Sequence, residues 1–112
     1  MRRWLLALSA TYLGLAAVSG AAFAQADFER LRALGEHLAQ ECVSCHRTDG
    51  GPDPGVASIV GWKHETFVTT MKAYRNQEFA ERRNPVMVSV TRSLNDEEVE
   101  ALAVYFGSLL NQ

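Results

Sequence analysis

Apolar residues recur at intervals of three and four along much of this chain. Between Asp27 and Cys42 they fall at Phe28, Leu31, Leu34, Leu38 and Cys42, a spacing that predicts an amphipathic helix. Asp27 and Glu29 would then stand near the positive end of its dipole. Gly35 sits inside the pattern, where it weakens a helix, so a close approach to its backbone is expected. Tyr105 or Phe106 of the last helix is an available neighbour. A second helical stretch runs from Glu65 to Arg75, with Phe67, Met71 and Tyr74 on one face and Val68 beside them. The last helix begins at Asn95, an N-cap residue with Glu98 three positions on, as in a capping box. Val99, Leu102, Ala103, Phe106, Leu109 and Leu110 supply its buried stripe. Thr48 to Gly55 is dense in Gly, Pro and Asp and must be a loop. The segment Asn76 to Val90 has weak periodicity and contains Asn84-Pro85, so part of it is loop as well. The expected fold class is all-α.

The ends of the chain change this picture. Met1-Arg2-Arg3 precedes an apolar run from Trp4 to Val18 and a small-residue stretch ending Ala22-Phe23-Ala24. A basic head, a short apolar body and an Ala-x-Ala tail make a secretory signal peptide. The run falls short of the ~20 apolar residues of a transmembrane helix, so cleavage is expected rather than stable membrane insertion. Cleavage after Ala24 divides the chain into a leader, residues 1–24, and one exported domain, residues 25–112, placed in the periplasm. A domain of this size has a modest core and benefits from a covalent staple.

The chemistry lies in Cys42-Val43-Ser44-Cys45-His46. Two thiols three positions apart can reach one edge of a porphyrin and add to its two vinyl groups as thioethers. The adjacent imidazole can then offer a nitrogen to the iron, which is the attachment pattern of c-type haem. A redox-active disulfide would want alternating strands and helices around it. A structural zinc site would want a second ligand pair. A plain disulfide across so short a loop brings little entropic benefit. Export favours haem further, because cysteines outside the cytoplasm are normally bonded to something. The loop after His46 is able to fold a backbone carbonyl against the free ring N–H of the histidine, with Pro52 and Pro54 both placed to stiffen it.

The opposite side of the iron could take Met71, Met87, His37, His64 or nothing. His37 shares the helix of Cys42 and reads as a solvated residue, while His64 reads as exposed or capping. Met71 lies at core spacing. Met87 follows Asn84-Pro85 in a segment without clear period, where an extended loop can deliver a thioether, and it is the residue assigned. Gly35-Glu36-His37-Leu38, the Cys42–His46 motif, the Gly/Pro loop, Asn84-Pro85-Val86-Met87 and the Leu94-to-Phe106 helix together resemble a class I cytochrome c of the small bacterial single-haem type. The stretch Phe67 to Arg75 followed by the Met87 loop is similar to the haem domains of flavocytochrome c sulfide dehydrogenase. The resemblance implies thioether bonds from Cys42 and Cys45, axial ligation by His46 and Met87, one haem c, and a first helix packed across the last.

Without its leader the chain holds thirteen acidic and nine basic side chains. Residues 63–92 are locally basic, with Lys63, Lys72, Arg75, Arg82, Arg83 and Arg92, whereas Asp96, Glu97, Glu98 and Glu100 crowd the last helix. Most such charges are simply solvated. A sharper expectation is that Arg82 and Arg83 steer an acidic redox partner toward the haem edge. Lys63, Arg75, Trp62 and Tyr74 are further candidates to meet a propionate. The implied role is a single-electron carrier with no catalysis of its own and no nucleic-acid partner. The alternatives are a cytochrome subunit serving a flavin- or sulfur-linked dehydrogenase, and a haem sensor with an open sixth site.

Overall fold

A computed structural model describes residues 18–51, 54–78 and 84–111. The expected all-helical architecture is found. Helix α1 spans Val18–Cys42, α2 His64–Arg75, α3 Pro85–Arg92 and α4 Asp96–Ser108, and a 3-10 turn, Leu109–Asn111, follows α4. The frame is the crossing of α1 over α4, with α2 laid against α4 and α3 against α2.

Glycine at position 35 permits the α1–α4 crossing. A Cβ there would lie 2.1 Å from the main-chain oxygen of Ala101 and 2.8 Å from Cβ of Tyr105. The expected aromatic neighbour is therefore Tyr105, with the Ala101 carbonyl even closer. Ala39, Val99, Leu102, Ala103 and Phe106 fill the seam, and Phe67, Val68 and Met71 of α2 close the core beside them, with Val60. Phe67 stacks on Phe106 at 6.0 Å, and Trp62 meets Phe67 edge-on at 6.5 Å.

Each helix end has a local cause. The Asn95 side chain accepts from the Glu98 N–H while Glu98 accepts from the Asn95 N–H, a complete capping box. Helix α2 stops without a glycine. Gln77 takes φ 56°, and its N–H and that of Glu78 turn back to the carbonyls of Tyr74 and Ala73, the Schellman pattern.

Three expectations need correction. Helix α1 begins at Val18 and not Asp27, so Asp27 and Glu29 are not in its first turn. Ala21, Ala22, Ala24 and Ala26 continue the helix because nothing in them breaks it. Residues 20–30 are exposed throughout, Phe28 among them, and Arg30 at the end of that stretch pairs with Glu97 of α4 at 2.5 Å. Met87 lies not on an extended loop but in the first turn of α3. Asn84 caps that helix, accepting from the Val86 N–H at 2.9 Å, and Pro85 opens it, the pairing that favours a helix start. Leu110 is 65% exposed rather than part of the buried stripe, since the chain tightens to a 3-10 turn after Ser108 and rotates it outward. Pro52, Arg82 and Arg83 lie outside the described residues.

Candidate haem-attachment site

The end of α1 builds the motif. Hydrogen bonding continues past the last helical residue: the His46 N–H reaches the Cys42 carbonyl at 2.8 Å and the Cys45 N–H reaches the same oxygen at 3.1 Å. The Ser44 hydroxyl donates to the Glu41 carbonyl at 2.8 Å. This tight turn carries Cys42, Cys45 and His46 together. Both cysteines are free thiols, Cys42 half-buried and Cys45 exposed. Burial pushes the Cys42 thiol above its usual pKa, and the neighbouring Glu41 carboxylate adds to the shift.

His46, four residues past the end of α1, is oriented by the segment that follows it. Its Nδ1 lies 2.8 Å from the carbonyl oxygen of Ala57. A carbonyl can only accept, so Nδ1 carries the proton and Nε2 keeps its lone pair for a metal. The loop supplies a carbonyl as expected, from Ala57, beyond the two prolines. That segment is itself anchored. Gly61 donates its N–H to the Phe106 carbonyl at 2.9 Å, and its φ of +74° leaves no comfortable place for a Cβ. A path of backbone bonds therefore runs from α4 through the 57–61 segment to the imidazole. Earlier in the loop, Arg47 and the Gly51 N–H both bind the Asp49 carboxylate and hold its pKa down to about 2.

The other candidates separate by position. Met71 is buried in the core, 6% exposed. His37 is an exposed residue on α1. His64 opens α2 at the surface, its Nε2 2.6 Å from a Glu100 carboxylate oxygen. Met87 is half-buried and packs against the same hydrophobic cluster as Cys42 and Leu38. Ala57, Gly61 and Thr91 carry site geometry that the sequence pattern did not single out. Of these, only Gly61 had a signal, as an isolated glycine before the Trp62-to-α2 entry.

The charged segments meet each other. Arg75 pairs with Asp96 at 2.6 Å, with Lys72 at 4.0 Å from the same residue. Arg75 and Lys72 hold that carboxyl below the usual range. Arg30 bridges Asp27 and Glu97, whose hydrogen bonds raise its own pKa further. Among the described residues, no group of three His, Cys, Asp or Glu side chains converges as a metal site, and no helix is long and apolar enough to cross a membrane.

The cytochrome c family profile matches residues 33–110, from the middle of α1 to the turn after α4. The chain belongs to the cytochrome c family. It is similar to cytochrome c-553 of Desulfomicrobium norvegicum, 30% identical over 65% of this chain and 91% of that protein. It is 33% identical to the cytochrome subunit of sulfide dehydrogenase of Chlorobaculum tepidum, over 67% of this chain and 66% of that one. A third relative, cytochrome c-554(548) of Halomonas halodenitrificans, is 31% identical over 68% of this chain and 93% of its own. This cytochrome is a class I, all-α electron-transfer protein with covalently bound haem c, and not an enzyme. The donor set fits that cofactor: two thiols on one turn and an imidazole whose second nitrogen is already engaged.

Proposed function

We propose that this cytochrome is a periplasmic single-electron carrier with a His/Met-ligated iron. Cys42 and Cys45 would hold the haem by thioethers, and His46 and Met87 would be its axial ligands. The observation that carries the reading is the 2.8 Å bond from His46 Nδ1–H to the Ala57 carbonyl. It fixes the tautomer and the ring orientation and leaves Nε2 as the nitrogen available to a metal. When bound, the haem supplies a metal that gains and loses one electron between its ferric and ferrous states. The chain's own residues do the rest. The Cys42–His46 turn holds the ring edge, the half-buried Met87 adds a soft donor that favours the reduced state, and the apolar cluster beneath both excludes water. Met87 is supported as sixth ligand by its place on the cluster that Cys42 shares, while Met71 serves the core and His64 serves Glu100. Residues 1–24 are a leader cut after Ala24, which leaves Asp27 to cap a shorter α1.

The ferric holo-protein should show the near-infrared band of thioether–iron ligation, and its reduced form should not bind carbon monoxide. Met87→Leu should abolish the band and open the iron to carbon monoxide, whereas Met71→Leu should do neither. A parent protein that binds carbon monoxide rapidly would sink the closed-carrier reading and favour a sensor.

The likeness to a sulfide dehydrogenase cytochrome subunit supports a second reading, in which this chain receives electrons within a complex containing a flavoprotein or another dehydrogenase subunit. Gel filtration of the protein from its own periplasm separates the two. A carrier elutes as a small haem protein, and a subunit co-elutes with a larger partner.

A further inference from the structure

Thr91 is the polar side chain that solvent does not reach at all among the described residues, at 0% exposure. Its hydroxyl donates to the carbonyl of Met87 at 2.8 Å, with the Val88 carbonyl at 3.2 Å. Threonine in a helix often bonds back one turn, but here the acceptor belongs to the residue assigned to the iron. Helix α3 is only eight residues long, too short to be stable through its own backbone bonds. Its first turn is therefore held at two points, by the Asn84 cap from upstream and by Thr91 from downstream.

We infer that Thr91 is a positioning residue that keeps the sulfur of Met87 on the iron by tethering the Met87 carbonyl. The inference rests on Met87 being the axial ligand. For an outside ligand to take the sixth position, the Met87 turn must swing away, and the Thr91 bond breaks as it does so. The tether thus contributes to the closed state and not to the open one. An incoming ligand binds only the open fraction, so its apparent affinity tracks the opening equilibrium. Losing one intramolecular hydrogen bond should raise that equilibrium roughly fivefold.

The test is a titration of the ferric holo-protein with imidazole, read as loss of the near-infrared thioether band. Thr91→Val keeps the shape of the side chain and removes the donor, while Thr91→Ser keeps the donor and loses the methyl group. Imidazole should bind Thr91→Val roughly fivefold more tightly than the parent, with Thr91→Ser close to the parent. The urea midpoint of the reduced holo-protein, measured on the same samples, should move little in Thr91→Val, because a better apolar fit offsets the lost bond. An unchanged imidazole affinity in Thr91→Val overturns the inference. So does a Thr91→Ser protein that matches Thr91→Val, since the methyl group would then be the active part. Equal loss of stability and of ligand retention in Thr91→Val would make the residue merely structural. Survival of the band in Met87→Leu removes the ligand assignment itself, and the tether with it.

Discussion

Replacing Gly35 by alanine is the sharpest test of how this fold is held. The added Cβ would lie 2.1 Å from the Ala101 oxygen, 2.7 Å from its carbonyl carbon and 2.8 Å from Tyr105 Cβ. Ordinary contact begins near ~3.4 Å, so the helices would have to part by about 1.3 Å at that point. The obstacle is main chain, and no rotamer change relieves it. Overpacking of this kind costs up to ~3 kcal/mol where nothing flexible can give. Alanine's better helix propensity returns ~1 kcal/mol. The net loss is about 2 kcal/mol, a roughly thirtyfold fall in the folding constant and about 10 °C in melting temperature for a domain of this size. Thermal unfolding of the reduced holo-protein, followed by far-ultraviolet circular dichroism, measures it. Shortening Tyr105 to alanine should not restore stability, because the Ala101 carbonyl stays in place. A Gly35→Ala protein melting within ~2 °C of the parent, or above it, would show that the close crossing is not what holds α1 to α4.

Gly61→Ala should cost ~1 kcal/mol through its left-handed φ. Trimming Leu110, the exposed and flexible side chain facing it, should not rescue it; full rescue in a urea titration would locate the cost in the clash and not in the backbone. Asp96 is stabilised as the carboxylate by Arg75 and Lys72, so its folded pKa is lowered, and its contribution is present above the ordinary carboxylate value and lost as pH falls through the lowered one. Asp96→Asn should accordingly be less stable than the parent at pH 7, with the gap closing in acid; a gap constant from neutral pH into strong acid refutes the assignment. Asp49, held down to about 2, should lose its share over the interval from the usual carboxylate pKa to that value. Asp49→Asn should therefore flatten the parent's stability loss between pH 4 and pH 2, as read from urea midpoints.

What the sequence made legible was whatever rests on local spacing. The Asn95–Glu98 box and the Phe67/Met71 face follow from residues a turn or less apart, the close approach at Gly35 follows from a glycine set inside a helical period, and each is found. Other features set by tertiary contact were hidden. Nothing near His46 marks Ala57 as the residue whose carbonyl reaches its ring, because a carbonyl has no side-chain signature and its position depends on Gly61 docking at Phe106. The start of α3 was legible but misread: Asn84-Pro85 is an N-cap followed by a first-turn proline, and the weak apolar period beyond it masked the signal. Thr91 carries no signal of its own in the sequence, because its burial and its acceptor are set by the fold. The extension of α1 to Val18 was hidden because its alanines carry no apolar period to mark a helix.

The charge pattern changes meaning once the helices are in place. In sequence, the acidic run from Asp96 to Glu100 stands apart from the basic stretch before it and reads as a solvated face. In the fold the two meet. Asp96 binds Arg75, Glu97 binds Arg30, Glu100 binds His64, and Glu98 closes the cap of its own helix. Opposite charges already paired at a few ångströms present a weak field to a molecule approaching from a Debye length away. The start of α4 is therefore a fastening that ties α1 and α2 to the last helix. Steering of a redox partner must come from charges that are not spent in this way.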